Sequence, residues 1–388
     1  MRYDAIVVGA GPAGSTAARE LARSGVNVLL LDRARFPRDK PCGGGVTIRA
    51  AREAGLDLTP VIERSVYGAR VTLRLGWPFE RSYPEPLSHM TQRSRLDAFL
   101  AERAAEAGAD FRDGVLVREV EVEGGGVRVR AEGDTYEGRT VVGADGANGV
   151  VAQALGLQPV GEATVGLEGN ISVPDDVMDQ WDRLIALDLG ALPGGYGWVF
   201  PKGDHLNVGV GGWRYLGPTL RSRLSALCRY YGLDEGALWA LRGHYLPMRR
   251  PGAAIARGPG LLLGDAAGLV DPLSGEGIYA AFISGRLAAQ AVQRYLAGET
   301  PDLRSYEEAV DSELMPDIIV SRKLQAVLHR IPRPCVTTMR YSDRFWRALC
   351  RVVRGERTYS HFRRKLGPLG LVLDAWAAVA RKDSRKSG

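Results

Sequence analysis

The sequence predicts an α/β fold: a Rossmann-like domain with a parallel β-sheet, an inserted α+β domain on an antiparallel β-sheet, and a helical C-terminal region. Three observations support this prediction. Apolar runs that end in glycine, typical of buried parallel strands, occur near residues 5–9, 140–143 and 261–264. Residues 195–211 alternate as in an antiparallel hairpin around a Pro-Lys-Gly-Asp turn. Residues 320–388 carry basic amphipathic helical patterns.

The chain has 388 residues, enough for two or three domains. A composition of 45% hydrophobic and 25% charged residues excludes a disordered or fibrous chain. We expect the parallel-sheet domain to be discontinuous. The predicted ranges are 1–70, 93–160 and 245–300 for that domain, 71–92 and 161–244 for the antiparallel-sheet domain, and 301–388 for the helical region.

The segment after the first predicted strand carries the strongest ligand signal. Gly9, Gly11 and Gly14 follow GxGxxG spacing between a strand and a helix, and Asp32 ends the second strand. Such glycines allow a sharp turn, close approach of a pyrophosphate and tight helix packing, while the acid binds ribose hydroxyls. We therefore predict dinucleotide binding, which this segment alone does not assign to FAD or to NAD.

Two later strand ends favour FAD. The segments 143–148 (GADGAN) and 264–268 (GDAAG) each follow an apolar strand. Ligands of open α/β sheets bind at the carboxyl ends of the strands, so three such ends suit a long cofactor lying across the sheet. The alternative for Asp265 is a helix N-cap.

Five motifs together resemble a known family. GAGPAG (9–14), GADGAN (143–148) and LLLGDAAGLVDPLSGEG (261–277) are similar to the three FAD motifs of glutathione-reductase-type flavoproteins related to aromatic hydroxylases. FPRDKPCGGGV (36–46) and YGWVFPKGDHLNVGVGG (196–212) resemble the geranylgeranyl reductase family, which uses FAD to saturate isoprenoid double bonds. The resemblance covers roughly residues 1–300.

This resemblance implies a set of cofactor-binding residues. Asp265 would hold the ribityl chain or the pyrophosphate of FAD, and Arg93 would contact the cofactor, with Arg95 as a nearby competitor. Cys42 matches a family cysteine close to the isoalloxazine ring. The full predicted set is Gly9, Gly11, Pro12, Ala13, Gly14, Asp32, Arg33, Cys42, Gly43, Gly44, Arg93, Asp145, Gly264, Asp265, Gly275, Gly277 and Ile278.

The predicted hairpin supplies candidate substrate-binding residues. Strand periodicity places Tyr196, Trp198 and Phe200 on one face, where they would line a tunnel for a polyprenyl chain. The alternative is that these rings form the inner face of the sheet's own core. We expect Gly45 to join them at the substrate, and we predict Tyr196 and Trp198 as catalytic residues alongside Cys42.

Saturation of an isolated alkene needs a proton, or strong polarisation, together with a hydride from reduced flavin. Cys42 is the first candidate for an acid or polar contact near the ring, ahead of Tyr279 and His205; its alternative is a small buried thiol. No metal site is predicted. The other four histidines are interpreted as structural: His89, His244, His329 and His361.

The predicted function is an FAD-dependent reductase of isoprenoid C=C bonds in a polyprenyl lipid, prenyl diphosphate, quinone or chlorophyll-type side chain. The alternatives are a flavin-dependent monooxygenase or halogenase and, from another class, a catalytically silent flavin-binding or lipid-carrier protein. The sequence has no second GxGxxG motif. The electron donor therefore stays open between NAD(P)H, ferredoxin and another donor protein.

Charge is distributed unevenly along the chain. Residues 320–388 hold 17 Lys/Arg and 4 Asp/Glu, against a net charge of +6 for the whole chain. Residues 341–354 place Phe345, Leu349, Val352 and Val353 on one helical face with Trp346 on its flank, and 366–380 form a second apolar stretch. Basic amphipathic helices with tryptophan suit an anionic bilayer surface.

The expected location is the cytoplasm, with peripheral attachment to a membrane. The four cysteines form no CxxC pair and are interpreted as reduced thiols. Neither a signal peptide nor a membrane-spanning run is predicted. No recognition module accompanies the basic charge, so nucleic acid is not expected as a partner.

Overall fold

A computed structural model of the chain describes residues 2–365. The β-strands are β1 (Arg2–Val8), β2 (Val28–Leu31), β3 (Gly45–Thr47), β4 (Arg64–Val66), β5 (Gly68–Leu73), β6 (Phe79–Ser82), β7 (Ser88–Met90), β8 (Asp110–Arg112), β9 (Val117–Glu123), β10 (Gly126–Ala131), β11 (Asp134–Gly143), β12 (Val160–Ser172), β13 (Leu184–Leu189), β14 (Gly197–Pro201), β15 (His205–Trp213), β16 (Trp239–Arg249), β17 (Ala256–Arg257) and β18 (Gly260–Leu262). The α-helices are α1 (Pro12–Arg23), α2 (Ile48–Glu53), α3 (Arg93–Glu106), α4 (Val151–Ala154), α5 (Asp175–Asp179), α6 (Leu220–Tyr230), α7 (Ile278–Leu296), α8 (Arg304–Glu313), α9 (Met315–Arg330), α10 (Pro332–Tyr341), α11 (Asp343–Val353) and α12 (Tyr359–Lys365).

The first sheet has the order β17-β18-β11-β1-β2-β8, and the β9–β10 hairpin extends it from β11. The pairs β1–β2, β1–β11, β2–β8 and β11–β18 are parallel. Helices α1 and α7 cross closely beside this sheet, since a Cβ on Gly285 would lie 2.6 Å from the carbonyl oxygen of Ala13. Apolar side chains of the strands and of these helices form one buried core. The predicted parallel-sheet α/β fold is confirmed.

The second sheet has the order β16-β12-β15-β14-β13-β5-β6 and is antiparallel except for the β13–β5 pair. The two faces of this sheet contact different parts of the protein. One face buries Val199, Val208 and Val210 in a core with α6. The opposite face lies towards the first domain. A small third sheet has the order β3-β7-β4.

The predicted boundaries at residues 71 and 245 fall inside strands of the antiparallel sheet. β5 spans Gly68–Leu73 and begins in the range predicted for the parallel-sheet domain. β16 spans Trp239–Arg249 and ends in the range predicted for that domain. The start of the predicted C-terminal region packs against the first domain and not as a separate unit. Leu303, Tyr306 and Val310 of the α8 segment are buried in the core of the first domain.

Helices α9, α10 and α11 cover the aliphatic end of the antiparallel sheet. Val336, Trp346 and Cys350 are buried with Val71 of β5, and the indole of Trp346 donates a hydrogen bond to the carbonyl of Ser82 at 2.9 Å. The apolar side of α11 therefore faces the protein. The second apolar stretch, 366–380, lies outside the described residues. Within residues 2–365, no helix is long and apolar enough to cross a bilayer.

Candidate active site

One continuous cavity of about 1060 Å³ lies between the two sheets. Its first part lies at the carboxyl ends of β1, β2, β11 and β18, where the predicted cofactor motifs meet. Its second part lies over the inward face of the antiparallel sheet and reaches α9 and α11. Every residue of the predicted cofactor-binding set, and each of Gly45, Tyr196, Trp198 and Phe200, lines this cavity except Gly14.

The glycine turn after β1 packs as the sequence requires. A Cβ on Gly14 would lie 1.9 Å from the carbonyl oxygen of Gly9. Gly14 therefore lies outside the cavity lining and lets α1 pack closely against β1. Gly11 instead faces the cavity, where a Cβ would meet only guanidinium nitrogens at 3.7 and 3.9 Å. No side chain caps the N-terminus of α1, and its free N–H groups suit an anionic pyrophosphate.

Asp32 and Arg93 form the wall beside this turn. One oxygen of the Asp32 carboxylate accepts a hydrogen bond from the N–H of Ala10 at 2.8 Å, and the other accepts from Ala34 at 2.9 Å. Buried Arg93 makes a two-point ion pair with Asp97, at 2.8 and 2.7 Å. Arg95 points away, is half exposed, and pairs with Glu63. Of the two arginines, the structure therefore brings Arg93 to the cavity.

The carboxylate of Asp145 has an unused acceptor. Its Oδ2 accepts the N–H of Val151 at 3.0 Å, while its buried Oδ1 has no hydrogen-bond partner among the described residues. Burial raises the pKa of this carboxyl group, and the bond from Val151 opposes the rise. A buried acceptor without a partner is costly. A ligand hydroxyl in the cavity would satisfy it.

Asp265 lies in the short 3₁₀ helix Gly264–Ala267 and caps no helix with its side chain. Its Oδ2 lies 3.0 Å from Lys40 Nζ and 3.6 Å from the Nε2 of His244. Although burial raises its pKa, the charge of Lys40 and the ring of His244 hold that pKa below its usual range. Gly275, Gly277 and Ile278 continue the same wall to the uncapped N-terminus of α7.

These features fit FAD. They comprise an open glycine turn, an acid at the end of β2, an unsatisfied buried oxygen on Asp145, and backbone N–H groups at two helix N-termini. Together they extend across the strand ends, as an elongated dinucleotide requires. Among the described residues, no cluster of His, Cys, Asp and Glu is arranged to hold a metal ion.

The loop Cys42–Gly45 lies between the two parts of the cavity and is held from both sides. The N–H of Cys42 donates to Glu168 Oε1 at 2.5 Å. Lys202, 2% exposed, donates from Nζ to the carbonyl of Gly43 and, at 2.9 Å, to that of Thr91. Gly44 has a φ of +71°, and a Cβ there would collide with the Lys202 ammonium.

Three aromatic rings follow in line on the inward face of the antiparallel sheet. The centroids of Tyr196 and Trp198 are 6.0 Å apart, and those of Trp198 and Phe200 are 6.3 Å apart. The indole of Trp198 packs against Gly209, where a Cβ would come within 2.1 Å of the ring. The rings line the cavity, whereas Val199 between them is buried in the core of the opposite face.

Beyond the rings the cavity becomes aliphatic. Its lining there comes from β5, β13, α9 and α11, and includes Val71, Leu187, Leu328 and Cys350. His329 is a polar exception, and burial lowers its pKa to about 4, so its ring is neutral near pH 7.

The two weaker candidates for the polar contact, His205 and Tyr279, lie outside the cavity lining. His205 is buried outside the cavity lining and pairs with Asp204 at 2.7 Å, while Tyr279 packs under the guanidinium of Arg49. Conversely, His244 and His329 line the cavity although the sequence gave no reason to select them.

Sequence reasoning also missed Glu168 and Lys202. The sequence places Lys202 in a turn, and in the structure its side chain is buried. The one available signal for Glu168 was a charged residue within the otherwise apolar and polar-neutral run 163–172.

Comparison with known proteins agrees with this geometry. Residues 2–182 match a family model described as FAD binding domain. The chain is 34% identical to a chloroplastic geranylgeranyl diphosphate reductase of Oryza sativa subsp. japonica, over 85% of this chain and 76% of that one. It is 33% identical to a menaquinone reductase of Mycolicibacterium smegmatis, over 86% of both chains. A solved geranylgeranyl bacteriochlorophyll reductase-like protein of Thermoplasma acidophilum superposes with a TM-score of 0.76 and 26% identity, covering 85% of this chain and 90% of that one.

The fold and the cofactor site define an FAD-dependent oxidoreductase. The identity and coverage shared with its relatives are specific enough to give the family. The chain belongs to the geranylgeranyl reductase family, whose members act on CH–CH groups.

Proposed function

We propose that this protein saturates isoprenoid C=C bonds by hydride transfer from N5 of reduced FAD, in a polyprenyl lipid, prenyl diphosphate, quinone or chlorophyll-type side chain. The observation that carries the proposal is the continuity of the cavity. The cofactor part of the cavity continues to the rings of Tyr196, Trp198 and Phe200, and beyond them the lining is aliphatic. A prenyl chain is an apolar ligand whose double bonds repeat along its length, and it suits such a path.

FAD, when bound and reduced, supplies the hydride from N5. The protein's own contribution is to hold the alkene and to exclude water. An alkene carbon that gains positive character is stabilised by nearby aromatic rings, and the rings of Trp198 and Phe200 line the cavity. Cys42, beside these rings, is a polar contact at the reacting bond. A Cys42→Ala enzyme that retains FAD and the wild-type rate would remove it from the chemistry.

The aliphatic end defines how the substrate lies. Between β5, β13 and α11 the lining is apolar, with Leu187, Val71 and Leu349 among its members. We place the tail of the prenyl chain there. The basic side chains on the lining lie towards the cofactor, among them Lys40, Arg93 and Arg242. The relatives named for geranylgeranyl diphosphate and for menaquinone differ in head group, so both are substrates to test.

We also propose peripheral contact with an anionic membrane, through a different surface from the buried side of α11. Trp77 is 42% exposed and Tyr341 68% exposed, and the Arg340 guanidinium lies 5.2 and 5.4 Å from their ring centroids. Tryptophan, tyrosine and arginine together suit a lipid head-group layer. Sedimentation with phosphatidylserine vesicles should fall in Trp77→Ser/Tyr341→Ser but not in Tyr215→Ser. Equal sedimentation of both variants would refute this contact.

The decisive experiment uses dithionite-reduced holoenzyme, which removes the question of NAD(P)H, ferredoxin or another donor. Geranylgeranyl diphosphate and menaquinone are incubated separately, and products are examined by mass spectrometry for the gain of two hydrogens per saturated bond. Absence of saturated product from either substrate would count against the proposal. A hydroxylated or halogenated product formed with NAD(P)H and oxygen would favour the monooxygenase or halogenase alternative.

A further inference from the structure

Glu168 lies in the same row of the antiparallel sheet as the central aromatic ring. In the strand register Glu168 of β12 pairs with Gly209 of β15, and Gly209 pairs with Trp198 of β14. Paired residues of an antiparallel sheet point to the same face. Glu168 and Trp198 therefore stand on either side of a glycine that has no side chain, and both line the cavity.

The hydrogen bonds of Glu168 use only one of its oxygens. Oε1 accepts from the N–H of Cys42 at 2.5 Å and from Nδ2 of Asn207 at 3.4 Å. Asn207 in turn accepts the indole N–H of Trp198 at 2.8 Å, which links the acid to the ring. No described residue forms a hydrogen bond with Oε2. This arrangement leaves Oε2 as the oxygen that carries a proton when the group is neutral.

The surroundings keep the carboxyl group neutral over a wider pH range than an exposed glutamate. Burial raises the pKa of Glu168, and the charge of Lys202 and the N–H of Cys42 oppose that rise without cancelling it. The Asp39 carboxylate adds to the rise. Arg242 is opposite Glu168 on β16, but its guanidinium lies 3.7 Å from Asp39.

The other acids on the cavity wall have different partners. Asp32 accepts two backbone N–H groups, Asp265 is paired with Lys40, and Glu276 is paired with Arg49 at 2.6 Å. Asp145 lies at the end of β11 in the cofactor part. Among the described residues, Glu168 is the acid on the aromatic face of the cavity.

We propose that Glu168 is the proton donor for alkene saturation, an inference that rests on the proposed function. Saturating one C=C bond takes up two electrons and two protons, which arrive as one hydride and one proton. The hydride is that of the reduced flavin, and the O–H bond at Oε2 breaks so that its proton forms the second C–H bond. Glu168 is left as a carboxylate near Lys202, and solvent returns its proton before the next turnover.

The test variant is Glu168→Gln, whose amide oxygen still accepts the N–H bonds from Cys42 and Asn207. Glu162→Gln is the matched control, because Glu162 lies on the same strand but is half exposed and pairs with Arg322. Infrared spectra of the oxidised holoenzymes, recorded as a pH series that starts near the pKa of an exposed glutamate and runs upward, give the first readout. Wild type and Glu162→Gln should share a protonated-carboxyl stretch that Glu168→Gln lacks. Identical spectra of all three proteins would overturn the proposal.

Single turnover of dithionite-reduced enzyme with geranylgeranyl diphosphate and menaquinone gives the second readout. Loss of a general acid typically costs 10²–10⁴-fold, so Glu168→Gln should fall by at least about 100-fold while retaining FAD. The wild-type rate should decline as pH rises through the pKa of Glu168, and the residual rate of the variant should not follow that decline. A wild-type rate in Glu168→Gln would limit the residue to holding the loop. If wild type itself saturates neither substrate while the infrared difference is present, the proposed function fails, and the donor role fails with it.

Discussion

The hydroxyl of Tyr196 donates a hydrogen bond of 2.5 Å to the backbone carbonyl of Ser274. This bond joins the aromatic strand of the substrate side to the loop that precedes α7 on the cofactor side. Asp271 also holds this loop, because its Oδ1 accepts hydrogen bonds from the N–H of Ser274 at 2.8 Å and from the hydroxyl of Ser321 at 2.9 Å. The cofactor wall and the substrate wall are therefore one hydrogen-bonded unit.

Tyr196→Phe should weaken FAD binding by loosening that loop. Losing one hydrogen bond of this kind costs about 1–1.5 kcal/mol, which corresponds to a roughly 5- to 10-fold higher dissociation constant. Flavin fluorescence titration of the apoprotein measures this change. Tyr215→Phe, at an exposed tyrosine, is the control and should bind FAD like wild type. Equal affinity of the two variants would show that the bond does not support the cofactor.

Gly209→Ala should displace the ring of Trp198 and reduce saturation of isoprenoid substrates. The added methyl group would lie 2.1 Å from the indole, and overpacking a filled site typically costs about 1–3 kcal/mol. We expect at least a 10-fold loss in kcat/KM with FAD retained. In Gly217→Ala, which lies outside the cavity lining, the nearest atom is 4.0 Å away, so kcat/KM should be unchanged. Similar kinetics of both variants would mean that the ring position does not matter.

The predictable part of the fold and site consists of features set by local physics. The turn after β1 requires glycine at fixed spacing because backbone, helix and ligand meet there, and that requirement is visible in the sequence. Likewise, period 2 alone puts Tyr196, Trp198 and Phe200 on one side of a strand. The same pattern fits both a tunnel lining and the inner face of the sheet's own core. The choice depends on which domain covers the sheet, and this is not a local property.

The parts that escaped prediction depend on long-range pairing. Glu168 stands beside Trp198 only through the register of β12, β15 and β14, which the sequence does not state. Lys202 follows a strand in a sequence typical of an exposed turn, yet it is buried under the loop of Cys42. For α11 the pattern correctly gave an apolar side. It did not distinguish a bilayer from the sheet end that Trp346 covers.

Lys202→Met should release the loop that carries Cys42. The substitution keeps most of the buried apolar volume but removes the donor to the carbonyls of Gly43 and Thr91. Without that clamp we expect alkylation of Cys42 by iodoacetamide to be several-fold faster than in wild type. Mass spectrometry of the Cys42 peptide measures the rate, and Lys323→Met serves as a comparison on α9. An unchanged rate at Cys42 would show that Glu168 alone holds the loop.

Cys350→Phe should shorten the chain that the cavity accepts. Cys350 is buried at the aliphatic end, so a benzyl group would fill space that we assign to the prenyl tail. Each methylene excluded from an apolar pocket is worth about 1–3 kcal/mol, so we expect at least a 10-fold shift in relative kcat/KM from geranylgeranyl to geranyl diphosphate. Arg347→Phe, exposed on the same helix, should not alter this ratio. A change in both variants would indicate a general disturbance of α11.

His329 should make the fold sensitive to mild acid. Burial lowers its pKa in the folded protein to about 4, whereas an unfolded histidine titrates near 6.5. As pH falls below about 6.5 the unfolded chain takes up a proton that the folded protein resists, so stability is present above that pH and is lost towards pH 4. Between pH 7 and pH 5 this single group accounts for about 2 kcal/mol.

His329→Leu should therefore lose less stability than wild type between pH 7 and pH 5, by about that amount. Urea denaturation of both proteins at pH 7 and pH 5 gives four free energies of unfolding. The change between the two pH values in wild type, minus the same change in the variant, isolates the contribution of residue 329 from those of all other titrating groups. A leucine at this position also makes the aliphatic end uniformly apolar, so turnover at pH 7 reports separately on whether the neutral imidazole contacts the substrate. Parallel loss of stability in wild type and variant would show that His329 reaches solvent and titrates normally in the folded protein.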